Sequence, residues 1–279
     1  MSVRKNQASL SIDERAAFVA AVKAIKANGV YDVFVEQHRT AMLDISPVDP
    51  AHLGPAFLPW HREYLRRFEL ELQNVDPNVT LPYWDWTIDN SENSSIWNPD
   101  FMGGNGTGQR GEVTTGPFAY STDGWVLNVL DPGETDPFLK RGFGLMGSLP
   151  SQRLIDRVLS MVPYDSAPWT FEANGFRNSL EVLIHNNGHM WVGGSMMAAT
   201  SPNDPVFWLH HCNIDRLWAQ WQRENPDQSY LPDRSNIPDA PLGHALDDPM
   251  WPWQGEPNSP TPRSVLDYRA LDYTYDTDT

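Results

Sequence analysis

Two histidines four residues apart, His185 and His189, lie in a helical pattern running from about Phe176 to Trp191. At that spacing both imidazoles leave one face of a helix about a turn apart, close enough to grip one metal ion. His211, on the next helical pattern, completes a set of three. His38, His52 and His61 form a second set, drawn from helix, loop and helix. A single histidine on an apolar helix face is usually a hydrogen-bonded core residue. Six of the chain's eight histidines, gathered in two triplets, point instead to a pair of metal ions, each held by three nitrogens.

Imidazole suits zinc, copper, iron and nickel, so the ligand type does not name the metal. The missing groups narrow it. A dizinc hydrolase or di-iron carboxylate site brings bridging Asp or Glu, and only Glu181 and Asp215 stand in suitable positions here. Between His185 and His189 the residues are Asn-Asn-Gly, not the Glu-x-x of a His-Glu-x-x-His metalloprotease motif. Six neutral imidazoles leave both ions highly charged. Reduced copper tolerates that better than hard cations do, and bound oxygen relieves it. The expectation is a copper pair that handles O2.

The rest of the composition sets limits. A chain of 279 residues can bury a sizeable core. A net charge of −16 excludes the basic surface that nucleic acid needs and disfavours an anionic membrane surface. With one cysteine, Cys212, neither an intramolecular disulfide nor a thiolate zinc cluster can form, which suits a reducing compartment. The polar start Met1-Ser-Val-Arg-Lys-Asn-Gln7 leads into no signal-peptide core, and no apolar run approaches the roughly 18 residues a membrane span needs.

In order along the chain, Ser11-Ile-Asp-Glu14 is a capping box opening a helix with Phe18, Val19, Val22 and Ile25 on one face, stopped at Asn28-Gly29. A second helix spans about Val30 to Leu43, with Val33, Phe34 and His38 on one stripe, so His38 points inward. Asp44 to Gly54, with Pro47 and Pro50, is a loop carrying His52. A third helix runs from near Pro59 to about Gln73. Residues 87–148, rich in Gly, Pro, Asn and Thr, predict irregular cover. The cluster Gly103-Gly-Asn-Gly-Thr-Gly108 within it is no phosphate loop, because no Gly-Lys-Ser/Thr follows. Ser151 caps a short helix bearing Leu154, Ile155, Val158 and Leu159. The run from Phe176 carries Glu181, His185 and His189, and a last core helix opens at Asp204-Pro205 and reaches Trp221. From Pro226 the chain is a Pro-rich wrap, ending in a short edge strand within Tyr268–Tyr275. No linker divides it, so residues 1–279 read as one domain: mainly α, a four-helix bundle with long loops and few short strands. An internal echo supports two similar half-sites: Pro55-Ala-Phe57-x3-His61-x4-Arg66 matches Pro205-Val-Phe207-x3-His211-x4-Arg216.

Four stretches carry a resemblance: Pro59-Trp-His61-Arg-Glu-Tyr64, Leu81-Pro-Tyr-Trp-Asp-Trp86, His185-x-x-x-His189-x-Trp-Val-Gly-Gly194 and Ser201-Pro-Asn-Asp-Pro-Val-Phe-Trp-Leu-His-His211-x-x-x-Asp215-Arg-Leu-Trp218. These resemble the tyrosinase family of type 3 copper proteins, in particular the short enzymes of Streptomyces-type bacteria, over nearly the whole chain. The resemblance implies that His38, His52 and His61 bind one copper (CuA) and His185, His189 and His211 the other (CuB). It implies O2-dependent ortho-hydroxylation of monophenols and oxidation of o-diphenols to o-quinones, as in melanin formation, in a dry, aromatic-walled pocket. Two alternatives share the site: a catechol or o-aminophenol oxidase without strong hydroxylation, and a haemocyanin-like oxygen binder.

In the family a Glu near Glu181 orders a water that takes a phenolic proton, helped by an Asn at the position of Asn186. Here the segment from Glu181 to His185 is short for a bacterial member, nearer the plant spacing. Glu181 is thus either this water holder or a partner orienting a ligand histidine. Cys212 does not match the family's thioether cysteine, and His52, on its Pro-flanked loop, is expected to be the most mobile ligand. His210 is expected in the core beside the ligands, Asp215 on an Arg or ring N–H, the methionines Met190, Met196 and Met197 in packing, and His244 on the surface. Bacterial relatives use a small copper-delivery partner that also carries the export signal. The chain is therefore expected to be cytoplasmic or exported with such a partner.

Overall fold

The computed structural model describes residues 1–43 and 49–278. Residues 44–48, part of the loop expected before His52, lie outside it. Helix α1 (Ile12–Ala27) opens with the expected capping box: Ser11 accepts from the Glu14 N–H while the Glu14 carboxylate accepts from the Ser11 N–H. Phe18, Ala21, Val22 and Ile25 are its buried face. Gly29, at φ +85°, makes the turn into α2 (Val30–Leu43). On α2 the inward stripe holds Tyr31, Phe34, Val35 and His38, whereas Val33, expected beside them, is 66 % exposed. A residue one step before Phe34 is rotated about 100° from it and leaves the buried stripe.

Helix α3 (Phe57–Val75) starts two residues before Pro59, which fits because a proline is tolerated in a first helical turn. After it come strands β2 (Gly106–Thr107) and β3 (Glu112–Val113), antiparallel, and the single turn α4 (Tyr120–Asp123). These are the only regular elements longer than a bridge or 3-10 turn in the expected irregular cover among the described residues. Helix α5 (Gln152–Leu159) is capped by Ser151, whose hydroxyl accepts from the Leu154 N–H.

The run expected as one helix from Phe176 is interrupted. It consists of α6 (Phe176–Ser179), a π-turn at Leu180–His185 and α7 (Asn186–Val192). The Asn186 N–H reaches back five residues to the Glu181 carbonyl, the bond that marks a π-turn. Helix α8 (Val206–Glu224) is buried on nearly every side as far as Trp221. The expected acidic N-cap is displaced by one residue: Pro205 is the N-cap and has no side-chain cap bond, while Asp204, just before it, accepts from the Val206 N–H at 3.2 Å and is paired with buried Arg141.

Helices α2 and α3, the α6–α7 run and α8 enclose the histidines, and α3 packs along α8. The termini close over them. Strand β1 (Ser2–Arg4) pairs in parallel with β4 (Tyr273–Tyr275), and Arg4 there reaches Glu69 on α3 and Asp215 on α8. The expected edge strand in the Tyr-rich end is β4. No helix among the described residues is long and apolar enough to cross a membrane.

Candidate metal centre

Each histidine triplet gathers one nitrogen per ring within 4.8 Å of the others. In the second triplet the Nε2 atoms converge on that of His211: His185 at 3.2 Å and His189 at 3.3 Å. Three ring nitrogens at such distances cannot all be satisfied by each other, and a bound cation is what their geometry suits. The outer nitrogens explain the orientation. His38 Nδ1–H donates to Ala199 O at 2.8 Å, His61 Nδ1–H to Phe57 O at 2.8 Å, and His189 Nδ1–H to Met196 O at 2.6 Å. His185 Nδ1–H donates to the side chain of Asn186 at 3.0 Å. A ring whose Nδ1 carries the proton presents Nε2 as a lone pair. His38 Nε2 and His61 Nε2 are accordingly buried without a hydrogen-bond partner.

Burial also fixes the protonation state. Desolvation, reinforced by neighbouring rings, holds His38, His61, His185 and His211 well below the usual histidine range, and burial brings His189 down to about 4. Neutral imidazole is the form that ligates. The donor set, the orphaned nitrogens and the charge state all fit copper, among the metals imidazole suits.

The echo in the sequence takes shape here. The His61 and His211 rings, at equivalent places on α3 and α8, stack 4.3 Å apart and join the triplets. Phe57 packs against its own His61 and, across the interface, His185, both with centroids at 4.9 Å. Phe207 does the same with His211 at 4.1 Å and His38 at 5.0 Å. Each phenylalanine thus braces both triplets.

His210 lies close enough to be counted with the second triplet, yet both of its nitrogens are committed. Nδ1 accepts from the Trp86 indole N–H at 3.0 Å and Nε2–H donates to His185 O at 3.1 Å. It supports His185 from behind and is no ligand, as its sequence position implied. His244 is not on the surface. It is fully buried because the C-terminal wrap folds back beneath the His52 loop, where its Nδ1 accepts from the Ala56 N–H at 3.1 Å. Asp215 takes Arg62 Nε at 2.6 Å, Arg4 Nη1 at 3.3 Å and the hydroxyls of Tyr273 and Tyr275. Burial alone would raise this carboxyl, but Arg62 and Arg4 hold it below the usual range.

The triplets open on a pocket of about 310 Å³ lined by Met42, Leu53, Met190, Met196 and Met197, with Glu181 and Asn186 on its wall. Its rim is thioether and aliphatic, not aromatic as expected, because Phe57 and Phe207 stand behind the histidine rings. Glu181 is buried and occupied: Oε1 accepts from the Leu53 N–H at 2.6 Å and Oε2 from Arg177 at 2.9 Å. Burial raises its pKa despite Arg177. Sequence reading missed Arg177, Tyr164 and Arg141. Arg141, within the apolar, glycine-rich run 137–147, offered a signal, whereas Arg177 and Tyr164 offered none.

A family model described as the common central domain of tyrosinase matches residues 28–224. The chain belongs to the tyrosinase family. A tyrosinase of Streptomyces antibioticus is 47 % identical, over 99 % of this chain and all of that one. Among solved structures, a polyphenol oxidase mutant from Thermothelomyces thermophila superposes with TM-score 0.65 at 26 % identity, covering 94 % of this chain and 80 % of that one. A functional unit of octopus hemocyanin shares the fold at TM-score 0.65 and 22 % identity, covering 99 % of this chain and 68 % of the unit. The family is copper-dependent and acts on phenols, and the histidine groups of this member fit a metal site.

Proposed function

We propose that this chain is a tyrosinase, a single domain over residues 1–279 that ortho-hydroxylates monophenols and oxidises o-diphenols to o-quinones. His38, His52 and His61 would hold one copper ion, and His185, His189 and His211 the other. The observation that carries this reading is the pair of buried triplets, stacked through His61 and His211, with unpartnered ring nitrogens and four of the six rings lining one pocket. When bound, two copper ions supply the redox chemistry with O2, the co-substrate. The chain supplies the rest. Backbone carbonyls at Ala199, Phe57 and Met196 fix three ring orientations, Asn186 fixes a fourth, and the methionine rim offers a dry seat for an aromatic ring. Of the two roles open to Glu181, its bonds to Leu53 and Arg177 support positioning.

A small copper-delivery protein is a proposed partner, and the pocket mouth, where Leu53 and Met197 are 44 % and 47 % exposed, is the surface it would cover. The test pairs copper quantification with an assay of one monophenol beside its catechol. Two coppers per chain and turnover of both substrates are expected. His61→Asn should lose copper and both activities; full copper and full catechol oxidation in that variant sink the reading. Turnover of the catechol alone would make the chain a catechol oxidase, and oxygen binding with no turnover would make it a carrier.

A further inference from the structure

His52 stands apart from the other five histidines because no regular element carries it. The segment around it is nevertheless fastened at four points. Asp49 Oδ1 accepts from the N–H groups of Ala51 and His52 at 2.8 and 2.9 Å, and Asp49 Oδ2 lies 3.3 Å from His52 Nδ1. Leu53, directly after the ligand, sits at φ +55°. A branched side chain leaves that left-handed conformation unless its surroundings enforce it. Its N–H is the group donated to Glu181. Pro55 O accepts from the Tyr164 hydroxyl at 2.8 Å, and the Ala56 N–H donates to His244.

Apart from Asp49, these anchors come from distant parts of the chain, and behind Glu181 stands a buried charge series. Arg177 bonds Glu181 Oε2 and, through Nε at 2.8 Å, Asp165 Oδ2, with all three side chains out of solvent. Two carboxylates around one guanidinium satisfy its fork and leave Glu181 Oε1 facing the loop. On the far side, the Tyr230 hydroxyl donates to His244 O at 2.7 Å and steadies the ring that receives Ala56.

We propose that Asp165, Arg177 and Glu181 act as positioning residues that hold Leu53 in its left-handed conformation, and that His244 fixes the far end of the same segment, so that together they set His52 in the first copper triplet. This rests on the reading of His52 as a ligand. It assigns to the loop-borne ligand what carbonyl acceptors do for the helix-borne ones. Groups orienting a metal ligand change affinity for the metal at that ligand's own site, with typical losses of 10–100-fold.

The experiment uses the full chain loaded with copper. Variants Arg177→Met, His244→Leu, His244→Gln and His52→Asn are compared with wild type by circular dichroism, copper content, release to a chelator and electron paramagnetic resonance. In Arg177→Met and His244→Leu, one copper per chain should leave 10–100-fold more readily while the other stays. The remaining Cu(II) ion, with no neighbour to couple to, should give a resonance signal that the intact pair lacks. His244→Gln, which keeps an acceptor for the Ala56 N–H, should restore the second copper. Two coppers released at wild-type rates from folded Arg177→Met and His244→Leu would overturn the proposal, and so would equal weakening of both coppers. If Arg177→Met does not fold, the His244 pair decides alone. A wild type without copper, or His52→Asn with two, fails the ligand reading instead.

Discussion

At the scale of single residues, the tightest fit behind the second histidine triplet is Gly188. It lies on α7 between His185 and His189, and a Cβ there would meet His210 Cε1 at 2.2 Å. That ring cannot swing aside without breaking its bonds to Trp86 and to His185 O. Gly188→Ala is therefore expected to cost about 1–3 kcal/mol, the usual range for overpacking a filled core, measured by urea unfolding of the metal-free protein. Unchanged stability would mean that His210 is loosely held. Four of the six proposed ligands were legible as a local pattern, a spacing of four for His185 and His189 and an echoed Phe-x3-His for His61 and His211. His244 was not, because its partner is an amide on another segment, 188 positions away. Gly188 sits in the sequence as a mild helix weakener, and its reason appears only when His210 arrives from α8.

At the scale of elements, the relation of α3 and α8, the two helices proposed to carry copper ligands, rests on buried charge. Arg62, next to His61 on α3, and Asp215, one turn past His211 on α8, meet at 2.6 Å with both side chains out of solvent. Arg62 also lies over the Trp218 ring at 3.6 Å and donates to Val265 O and Leu266 O. Asp215→Asn keeps the shape but leaves Arg62 without its carboxylate, and losing one partner of a buried pair typically costs about 3–5 kcal/mol. The expected result is a loss in that range in denaturant unfolding, accompanied by weaker copper binding at both triplets, since the pair joins the helices that bear them. A loss under about 1 kcal/mol would place the joint in the aromatic packing instead. Periodicity and caps revealed α1, α2, α3, α5 and α8 to within about three residues. The π-turn stayed hidden because helical spacing does not report a bond five residues back. The cover segment hid Arg141, which ties the carbonyls of Met102, Gly103 and Gly104 to Asp204 at the head of α8.

At the scale of the whole molecule, the C-terminal wrap is part of the site's foundation. Composition showed it only as polar and proline-rich, yet it places Tyr273 and Tyr275 on Asp215 and inserts His244 under the His52 loop. That burial has a consequence in pH. Desolvation brings the His244 ring down from the ordinary 6.5 to about 4. Between those values the unfolded chain binds a proton that the folded chain refuses, so stability is complete above about pH 6.5 and declines as the pH falls. Below about 4 the folded ring is protonated too and the decline from this group ends. At pH 5 the shortfall is about 2 kcal/mol, at 1.36 kcal/mol for each unit below the ordinary value. His244→Gln keeps an acceptor for Ala56 and removes the titration. Metal-free wild type and variant, unfolded in urea at pH 7.5 and pH 5, should therefore differ in their loss on acidification by about 2 kcal/mol, the variant losing less. All other groups are the same in both proteins and cancel in that difference. Equal losses would mean that the folded chain already protonates His244 at pH 5, through an opening of the wrap beneath the His52 loop before the rest of the chain unfolds.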